Sequence, residues 1–267
     1  MGLSRRVRTL PVSISVLNTR ISPVNLDQAA QSIESLIASG GRHYICVCNV
    51  HTVMTGVDDT RFQQITNNAT LAVPDGMPLV WAARLLGFDQ RERVYGPDLL
   101  LAVCERSVDK GYSHFFYGGG QGVPERLAEN LSSRFPGIRI AGWYSPPFRP
   151  LTEIEDDQVV KTINASGADI LWVGLGAPRQ EYWMASHLGR IGAPVMAGVG
   201  AAFDFHAGKV KQAPRWMQDR GLEWAFRLCV EPRRLWKRYL YNNPRFIYLI
   251  GKQVVLVRLG LKGTIPR

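Results

Sequence analysis

Pro74-Asp75-Gly76 places a carboxylate between two residues that constrain the backbone, directly after the short apolar run 70–73. A run of this length is typical of a buried strand, so Asp75 stands at the carboxyl end of that strand. In a cleft with little water, such a carboxylate can accept a proton near neutral pH and act as a general base. The alternative is that Asp75 caps the helix that follows.

Two glycine-rich loops also follow strand-like runs. The first covers residues 118–122 and begins with Gly118 and Gly119, and the second contains Gly176 and leads to Gln180 in the first turn of a helix. Glycines let the backbone approach a phosphate at a helix N-terminus. Open α/β sheets bind ligands at the carboxyl ends of their strands, where both loops would lie. The pair predicts a nucleotide-phosphate cleft, with a plain tight turn as the alternative for the first loop.

The first loop does not complete the dinucleotide fingerprint G-x-G-x-x-G. Depending on which glycines are aligned, Val123 or Glu125 occupies the third glycine position. The next strand-like run, 138–142, also ends without the acidic residue that would bind a ribose. An NAD(P)-dependent oxidoreductase is therefore the weaker alternative, and no cofactor is expected.

A further loop, after the strand-like run 194–199, ends in Phe203 and Asp204. Asp204 could accept hydrogen bonds from the edge of a nucleotide base, and Phe203 could stack on the face of that base. The competing interpretation of Phe203 is an ordinary core residue.

Basic residues are concentrated at the C-terminal end. Residues 205–267 contain 14 Lys and Arg against 3 Asp and Glu, whereas residues 1–204 contain 18 against 19. Such a segment indicates an anionic partner, which is nucleic acid, anionic lipid or a phosphate-rich ligand. Arg227 and Arg234 would share one face of a continuous helix, and Arg238 follows one turn later. Tryptophans interleaved with these arginines favour lipid or a protein groove over nucleic acid.

The last helical pattern, 245–262, is amphipathic. Pro244 is expected to break the helix before it, and Pro232 to cause a kink or a new helix start near Glu231. An apolar stripe opposite a basic one predicts a helix lying in the interface of an anionic membrane. The alternative is a helix packed on the body of the protein. The apolar stripe consists of Phe246, Ile250, Val254, Val257 and Leu261, and the basic one of Lys252, Arg258 and Lys262.

Composition argues against several classes of protein. A hydrophobic content of 46% over 267 residues argues against disorder. The five histidines lack metal-ligand spacing and the four cysteines form no C-x-x-C pair, so neither a metal site nor a disulfide framework is expected. No apolar run is long enough for a signal peptide or a spanning helix, and free thiols fit the cytosol.

Strand-like and helical patterns alternate through most of the chain. This alternation predicts an α/β fold, with a mainly parallel, Rossmann-like sheet covered by helices on both faces. After about residue 208 the strand signal disappears, and helical patterns rich in Trp and Arg follow. We therefore expect one domain over residues 1–207 that carries the cleft, and a basic helical appendage over residues 208–267.

Together these segments resemble the WecG/TagA/CpsF family, glycosyltransferase family 26. The matching text runs in order over about residues 12–239 and comprises PDG with WAARLLG, RVYGPD, the first glycine loop, VGLGAPRQEYW, GVGAAFDFHAG and APRWMQDRGLEWAFRLCVEPRRLWKRY. The resemblance implies transfer of a sugar from a UDP-sugar to a polyprenyl-diphosphate-linked saccharide, with inversion and without a metal. The partners would be this donor, this acceptor and the anionic inner face of the cell membrane, not nucleic acid. UDP-glucose and exopolysaccharide synthesis are weaker expectations, and self-association is left open.

The resemblance also implies roles for single residues. Asp75 matches the family's proposed catalytic base, Asn49 a nearby polar residue of the active site, and Gln180 an active-site glutamine. Asp204 matches a residue near uracil. The family often has threonine two positions before Asn49, whereas this chain has Val47, which removes a hydroxyl contact and points to a different sugar.

The basic appendage is implied to complete the active site. Arg227 and Arg234 match basic residues of the family's C-terminal appendage, and the third basic position falls at Lys237 or Arg238. With no metal expected, these cations would stabilise the charge that develops on the diphosphate.

Overall fold

The computed structural model describes residues 13–261 and 263. It contains a parallel six-stranded sheet in the order β4-β3-β8-β7-β5-β6 and a small antiparallel hairpin of β1 and β2. The strands are β1 (Ile14–Val16), β2 (Thr19–Ile21), β3 (His43–Cys48), β4 (Leu71–Pro74), β5 (Ser113–Gly118), β6 (Arg139–Tyr144), β7 (Ile170–Gly174) and β8 (Val195–Gly198). The helices are α1 (Leu26–Ser39), α2 (Val50–Asp58), α3 (Thr60–Asn67), α4 (Met77–Leu85), α5 (Gly96–Lys110), α6 (Val123–Arg134), α7 (Glu153–Ala165), α8 (Arg179–His187), α9 (Ala202–His206), α10 (Arg215–Asp219), α11 (Glu223–Val230) and α12 (Pro232–Arg258). Within the described ranges, none of the helices is both long and apolar enough to cross a membrane.

The central strands are short apolar runs whose side chains alternate between the two faces of the sheet. Phe115 and Leu171 belong to the core on one face, and Phe116 and Trp172 to the core on the other. Helices cover both faces, because a parallel sheet buries its apolar side chains on both sides. The predicted α/β fold with a mainly parallel sheet is confirmed.

The order of the strands brings the predicted loops to one edge. Cys46 on β3 pairs with Ala72 on β4 and with Gly198 on β8, and every neighbouring pair in this sheet is parallel. The carboxyl ends of all six strands therefore lie at the same edge. The loops after β3, β4, β5, β7 and β8 meet there.

Residues 52–68, which the sequence predicts as one helix, belong to two helices. Asp59 between α2 and α3 is extended (φ −132°, ψ 105°), and its carboxylate accepts hydrogen bonds from the N–H groups of Arg61 and Phe62. This N-cap starts a new helix. The hydroxyl of Tyr182 on α8 also donates to Asp59, so a distant residue holds the break in place.

The helix α12 is continuous, so the predicted break at Pro244 is wrong. A proline inside a helix costs about 3 kcal/mol, because it lacks an N–H and crowds the preceding turn. The second half of α12 offsets this cost by burying Phe246, Ile250 and Val254. Each of these contributes roughly 1.5–3 kcal/mol. The predicted helix start at Pro232 is confirmed.

The predicted apolar stripe of α12 faces the protein. For this stripe, the alternative prediction of a helix packed on the body is therefore confirmed. Gln253 on the same side accepts a hydrogen bond from the Leu17 N–H (2.8 Å) and donates one to the Ser15 carbonyl oxygen (2.7 Å). Leu261 at the end of the stripe is exposed, and Lys262 lies outside the described residues. These hydrogen bonds hold α12 against β1 and the residue that follows it.

Replacing Gln253 by Leu is expected to lower the free energy of unfolding by about 2–6 kcal/mol, since two buried backbone groups would lose their partners at roughly 1–3 kcal/mol each. Urea unfolding measures this change. Lys252→Ala is the matched control, because Lys252 is exposed on the same helix and should change stability by less than about 0.5 kcal/mol. An unchanged unfolding midpoint for Gln253→Leu would contradict the docking role.

Candidate active site

The loops at the carboxyl edge of the sheet and the first part of the C-terminal segment enclose a cleft of about 700 Å³. This volume lies in the range of small-molecule binding sites. Nine of the ten site residues predicted from the sequence line the cleft. They are Asn49, Asp75, Gly119, Gly176, Gln180, Asp204, Arg227, Arg234 and Arg238.

Gly118 is the predicted site residue that does not line the cleft. It ends β5, where a Cβ would lie 2.6 Å from the carbonyl carbon of Gly174 on β7. A side chain at this position would therefore push the two strands apart, so Gly118 has a packing role. Gly119, with a φ of +72°, reaches the cleft.

Asp75 lies where β4 ends, and its backbone N–H donates to the Cys48 carbonyl oxygen (2.6 Å). Its Oδ1 is buried and has no hydrogen-bond partner within residues 13–261 and 263. The helix-capping interpretation of Asp75 is wrong, because Gly76 is the N-cap of α4 and no side chain caps that helix. Asn49, which follows β3, caps α2 through its own side-chain oxygen.

The charge state of Asp75 is set by its surroundings. Burial and, next, the negative charge of Glu223 raise the pKa of Asp75 to about 7. Arg93, Arg227 and a hydrogen bond with Asn49 act in the opposite direction. A carboxylate with this pKa can accept a proton near neutral pH, as a general base must.

Glu223 and Arg93 are residues of this site to which the sequence analysis assigns no role. Nη1 of Arg93 donates to Glu223 Oε2 at 2.6 Å, and Nη2 donates to Gln218 Oε1 at 2.7 Å. The guanidinium carbon of Arg93 also lies 4.1 Å from the ring centre of Tyr95. These contacts join the segment before α5 to α10 and α11. Both residues fall within matching text of the family resemblance, but 130 positions separate them and no local pattern pairs them.

Arg227 and Arg238 bring partly buried positive charge to the cleft. In the part of the chain that the structure describes, the Nε atoms of both residues are buried and lack an acceptor. Burial, with added repulsion from Arg227 and Arg234, lowers the pKa of Arg238 to about 10, so this side chain stays protonated at neutral pH. A buried cation without a full set of partners is costly, and a bound anion relieves that cost. The pair therefore suits a diphosphate.

The arginines reach the cleft from two helices, not from one. Arg227 is on α11 and Arg234 on α12, so the assumption of a continuous helix is wrong. Lys237 is exposed and its Nζ lies 5.5 Å from the ring centre of Trp236. Of the two candidates for the third basic position, Arg238 is the one that lines the cleft.

Asp204 lines the cleft, whereas Phe203 belongs to the core. Phe203 is 1% exposed, and its ring would lie 2.6 Å from a Cβ at Gly174. The core interpretation of Phe203 is therefore confirmed, and base stacking by this residue is not supported. The Asp204 carboxylate is partly exposed, with the amino group of Lys209 at 3.9 Å.

A second pocket of about 100 Å³ adjoins the cleft. Asp75 lines both, so this carboxylate borders two compartments. The other residues common to the two are Asn49, Glu223, Arg227 and Arg238. The second pocket is further lined by His51, Met77, Pro78, Arg93, Trp224, Tyr239 and Asn242.

Comparison with known proteins gives one consistent result. The model of the family described as "Glycosyl transferase WecG/TagA/CpsF family" matches residues 14–259. Three relatives are each named N-acetylglucosaminyldiphosphoundecaprenol N-acetyl-beta-D-mannosaminyltransferase. One from Bacillus spizizenii is 30% identical over 209 residues, which cover 78% of this chain and 79% of the relative. The relative from Bacillus subtilis is 28% identical (86% and 90% covered), and that from Staphylococcus aureus is 26% identical (92% and 94% covered).

The family match covers both the sheet that carries the cleft and the C-terminal helices that complete it. The match includes every residue that lines the cleft. The resemblance predicted from the sequence motifs is thus confirmed: the chain belongs to the WecG/TagA/CpsF family of glycosyl transferases.

Proposed function

We propose that the protein transfers a sugar from a UDP-sugar to a hydroxyl group of a polyprenyl-diphosphate-linked saccharide, with inversion at the anomeric carbon. The observation that carries this proposal is the position of Asp75 between two compartments. The larger cleft has the volume for a nucleotide sugar, and the smaller pocket gives the acceptor hydroxyl a separate approach to Asp75. Family membership favours this reaction over nucleic-acid binding and over NAD(P)-dependent oxidation.

In the proposed step, Asp75 acts as the general base. It removes the proton of the acceptor hydroxyl while the oxygen attacks the anomeric carbon from the face opposite UDP. The new C–O bond forms as the bond from the anomeric carbon to the diphosphate oxygen breaks. One base and one leaving group are sufficient for inversion. The carboxyl group of Asp75 borders both compartments, so it is placed to take up this proton.

The leaving UDP gains negative charge in this step, and cations must stabilise it. Arg227 and Arg238 line the cleft with partly exposed guanidinium groups whose Nε atoms are buried, and the more exposed Arg234 stands beside them. Guanidinium groups can bind phosphate oxygens through two hydrogen bonds at once. Because the groups are in place before the reaction, they need no rearrangement when the charge develops.

For the substrates, the names of the relatives are the best guide. These names specify an N-acetylmannosaminyl group and an acceptor of N-acetylglucosamine on diphosphoundecaprenol. We infer a lipid-linked N-acetylglucosamine acceptor and an N-acetylhexosamine donor for this chain. The names do not support UDP-glucose or a link to exopolysaccharide synthesis. Val47 lines the cleft, so the missing hydroxyl there bears on which sugar is accepted.

A donor screen tests the proposed reaction. UDP-N-acetylmannosamine, UDP-N-acetylglucosamine and UDP-glucose are offered with a short-chain lipid diphosphate that carries N-acetylglucosamine. We expect product from an N-acetylhexosamine donor, and calorimetry should show binding of UDP but not of NAD. Binding of NAD without UDP would favour the oxidoreductase alternative. Binding of DNA or RNA in a filter assay, with no transfer, would favour the nucleic-acid alternative.

The outward face of α12 supports a further part of the proposal, contact with the cytoplasmic surface of an anionic membrane. This face differs from the stripe predicted from the sequence, which is buried. Its exposed apolar residues are Leu240, Tyr241, Ile247, Tyr248, Val255 and Leu259. Lys237 is exposed on the same helix, so positive charge and apolar surface stand together as in helices that lie in a membrane interface.

Replacing Leu240, Ile247 and Tyr248 by Ser is expected to weaken binding to anionic vesicles by about tenfold or more, because apolar area inserted into the interface is lost. Co-sedimentation with vesicles of phosphatidylglycerol and phosphatidylcholine measures this binding. Ile154→Ser is the matched control, since Ile154 is 83% exposed on α7. Deletion of the helix is unsuitable, because its other face is core. Unchanged sedimentation of the triple variant would overturn the membrane assignment.

A further inference from the structure

Glu181 is a fully buried carboxyl group beside the cleft that the proposed transfer step does not use. It is 0% exposed in the first turn of α8, directly after Gln180, which lines the cleft and is 3% exposed. Within residues 13–261 and 263, its Oε2 has no hydrogen-bond partner. Buried carboxyl groups are rare unless they pair with a cation or a hydrogen-bond donor, so a buried acid with an unpartnered oxygen indicates a functional role.

A short chain of hydrogen bonds connects Glu181 to the cleft wall. The Gly176 N–H donates to Gln180 Oε1 at 3.1 Å, and Gln180 Nε2 donates to Glu181 Oε1 at 3.0 Å. A backbone N–H can only donate, so the carbonyl end of the Gln180 amide must face Gly176 and the nitrogen end must face Glu181. Glu181 thereby holds the rotation of this amide and engages one of its two N–H groups.

The surroundings of Glu181 favour its neutral form. Burial raises the pKa of Glu181 to about 7, against opposing effects of the hydrogen bond from Gln180 and of the charge on Arg238. The other titratable groups that face it are the thiols of Cys46 and Cys48 on β3, and burial raises the pKa of both. Because both thiols are neutral, Arg238 is the charged group among these neighbours of Glu181.

We propose that Glu181 is a positioning residue for the nucleotide-sugar donor: its carboxyl group holds the Gln180 amide so that the second N–H of that amide binds an oxygen of the UDP group. This inference rests on the proposed function, because it requires a UDP-sugar in the cleft. Glu181 acts through Gln180 and does not touch the reacting atoms.

The test compares two substitutions of Glu181 by calorimetry with UDP as the probe. Glu181→Gln keeps a neutral acceptor in place, so UDP affinity is expected to stay within about threefold of the wild type. Glu181→Leu removes the acceptor, so affinity is expected to fall by about 10- to 100-fold, the range for a lost partner in a buried network. If Glu181→Gln retains UDP affinity, the side chain acts by positioning Gln180 and its negative charge is not needed.

A double-substitution cycle gives the second readout. Gln180→Leu should weaken UDP binding as much as Glu181→Leu, and the double variant should be no weaker than either one, because both remove the same interaction. Met184→Leu is the matched control, since Met184 is also 0% exposed on α8 and makes no polar contact here. Its UDP affinity should be unchanged. Thermal unfolding confirms that each variant is folded.

Three results would overturn the inference: wild-type affinity in folded Glu181→Leu, losses that add in the double variant, or equal losses in Glu181→Gln and Glu181→Leu. In each case wild-type binding of UDP leaves the proposed function standing. Absence of UDP binding by the wild type would remove the proposed function and this inference together.

Discussion

Asp75→Asn is expected to lower the rate of sugar transfer by at least about 10²-fold, the lower end of what a general base contributes. UDP binding should stay within about threefold of the wild type, because Asn has the same size and the arginines that line the cleft are untouched. The amide cannot take up the proton of the acceptor hydroxyl, so chemistry fails while donor binding remains. Initial rates with a lipid-linked acceptor and calorimetry with UDP measure the two effects separately.

The matched control for Asp75 is Asp89→Asn, because Asp89 is an exposed aspartate in an ion pair with Arg91. This control should transfer sugar at the wild-type rate. Near-normal turnover of Asp75→Asn would exclude Asp75 as the base. Loss of UDP binding together with turnover would instead assign Asp75 to donor binding.

The raised pKa of Asp75 gives the same prediction a pH dependence. The base must be ionised, so transfer should fall as the pH drops below about 7. The stability of the fold has the opposite pH dependence. The pKa of Asp75 is higher in the folded protein than the ordinary value of an aspartate, so its stabilising contribution is present at low pH and is lost as the pH rises through about 7. Asp75→Asn should therefore have a higher melting temperature than the wild type above pH 7.

Arg238→Met is expected to reduce turnover by about 10²–10³-fold, as removal of one group that stabilises transition-state charge does. UDP affinity should also fall, since the buried guanidinium faces the cleft without an acceptor for its Nε. The melting temperature should not fall, because Met has similar length and the substitution removes an incompletely paired buried charge. Initial rates, calorimetry and thermal unfolding measure these three quantities.

Lys237→Met is the matched control for Arg238, because this neighbouring cation is exposed and lies against Trp236. Its turnover with a soluble short-chain acceptor should equal that of the wild type. If Lys237→Met lost as much activity as Arg238→Met, the choice of Arg238 for the third basic position would be wrong. Arg238→Lys should recover only part of the activity, since an ammonium group cannot form the two parallel hydrogen bonds of a guanidinium.

The sequence determines much of the sheet and the loops at its edge. Short apolar runs such as 43–48 are buried strands in the structure, and the alternation with helices predicts parallel pairing correctly. Since parallel strands end at one edge, sequence position alone places Asp75, Gln180 and Asp204 in the same cleft. These features follow from local periodicity and chain order.

Other features depend on contacts between residues far apart in sequence. The ion pair of Arg93 and Glu223 has no local signal, and the hydrogen bond by which Tyr182 holds the break at Asp59 joins residues 123 positions apart. Likewise, Pro244 is tolerated inside α12 because distant side chains pack against its second half.

Which side of a helix faces the protein is also a tertiary property. The amphipathic pattern of α12 predicts an apolar stripe, but the same periodicity fits a membrane and a protein core equally well. The packing of α12 on β1 shows that the stripe is part of the core. Other apolar residues of α12 and Lys237 face outward, whereas Arg238 faces the cleft. A sequence pattern records which residues share a face. The docking of that face is decided by its partners, because burial energy depends on the complementary surface and not on the helix alone.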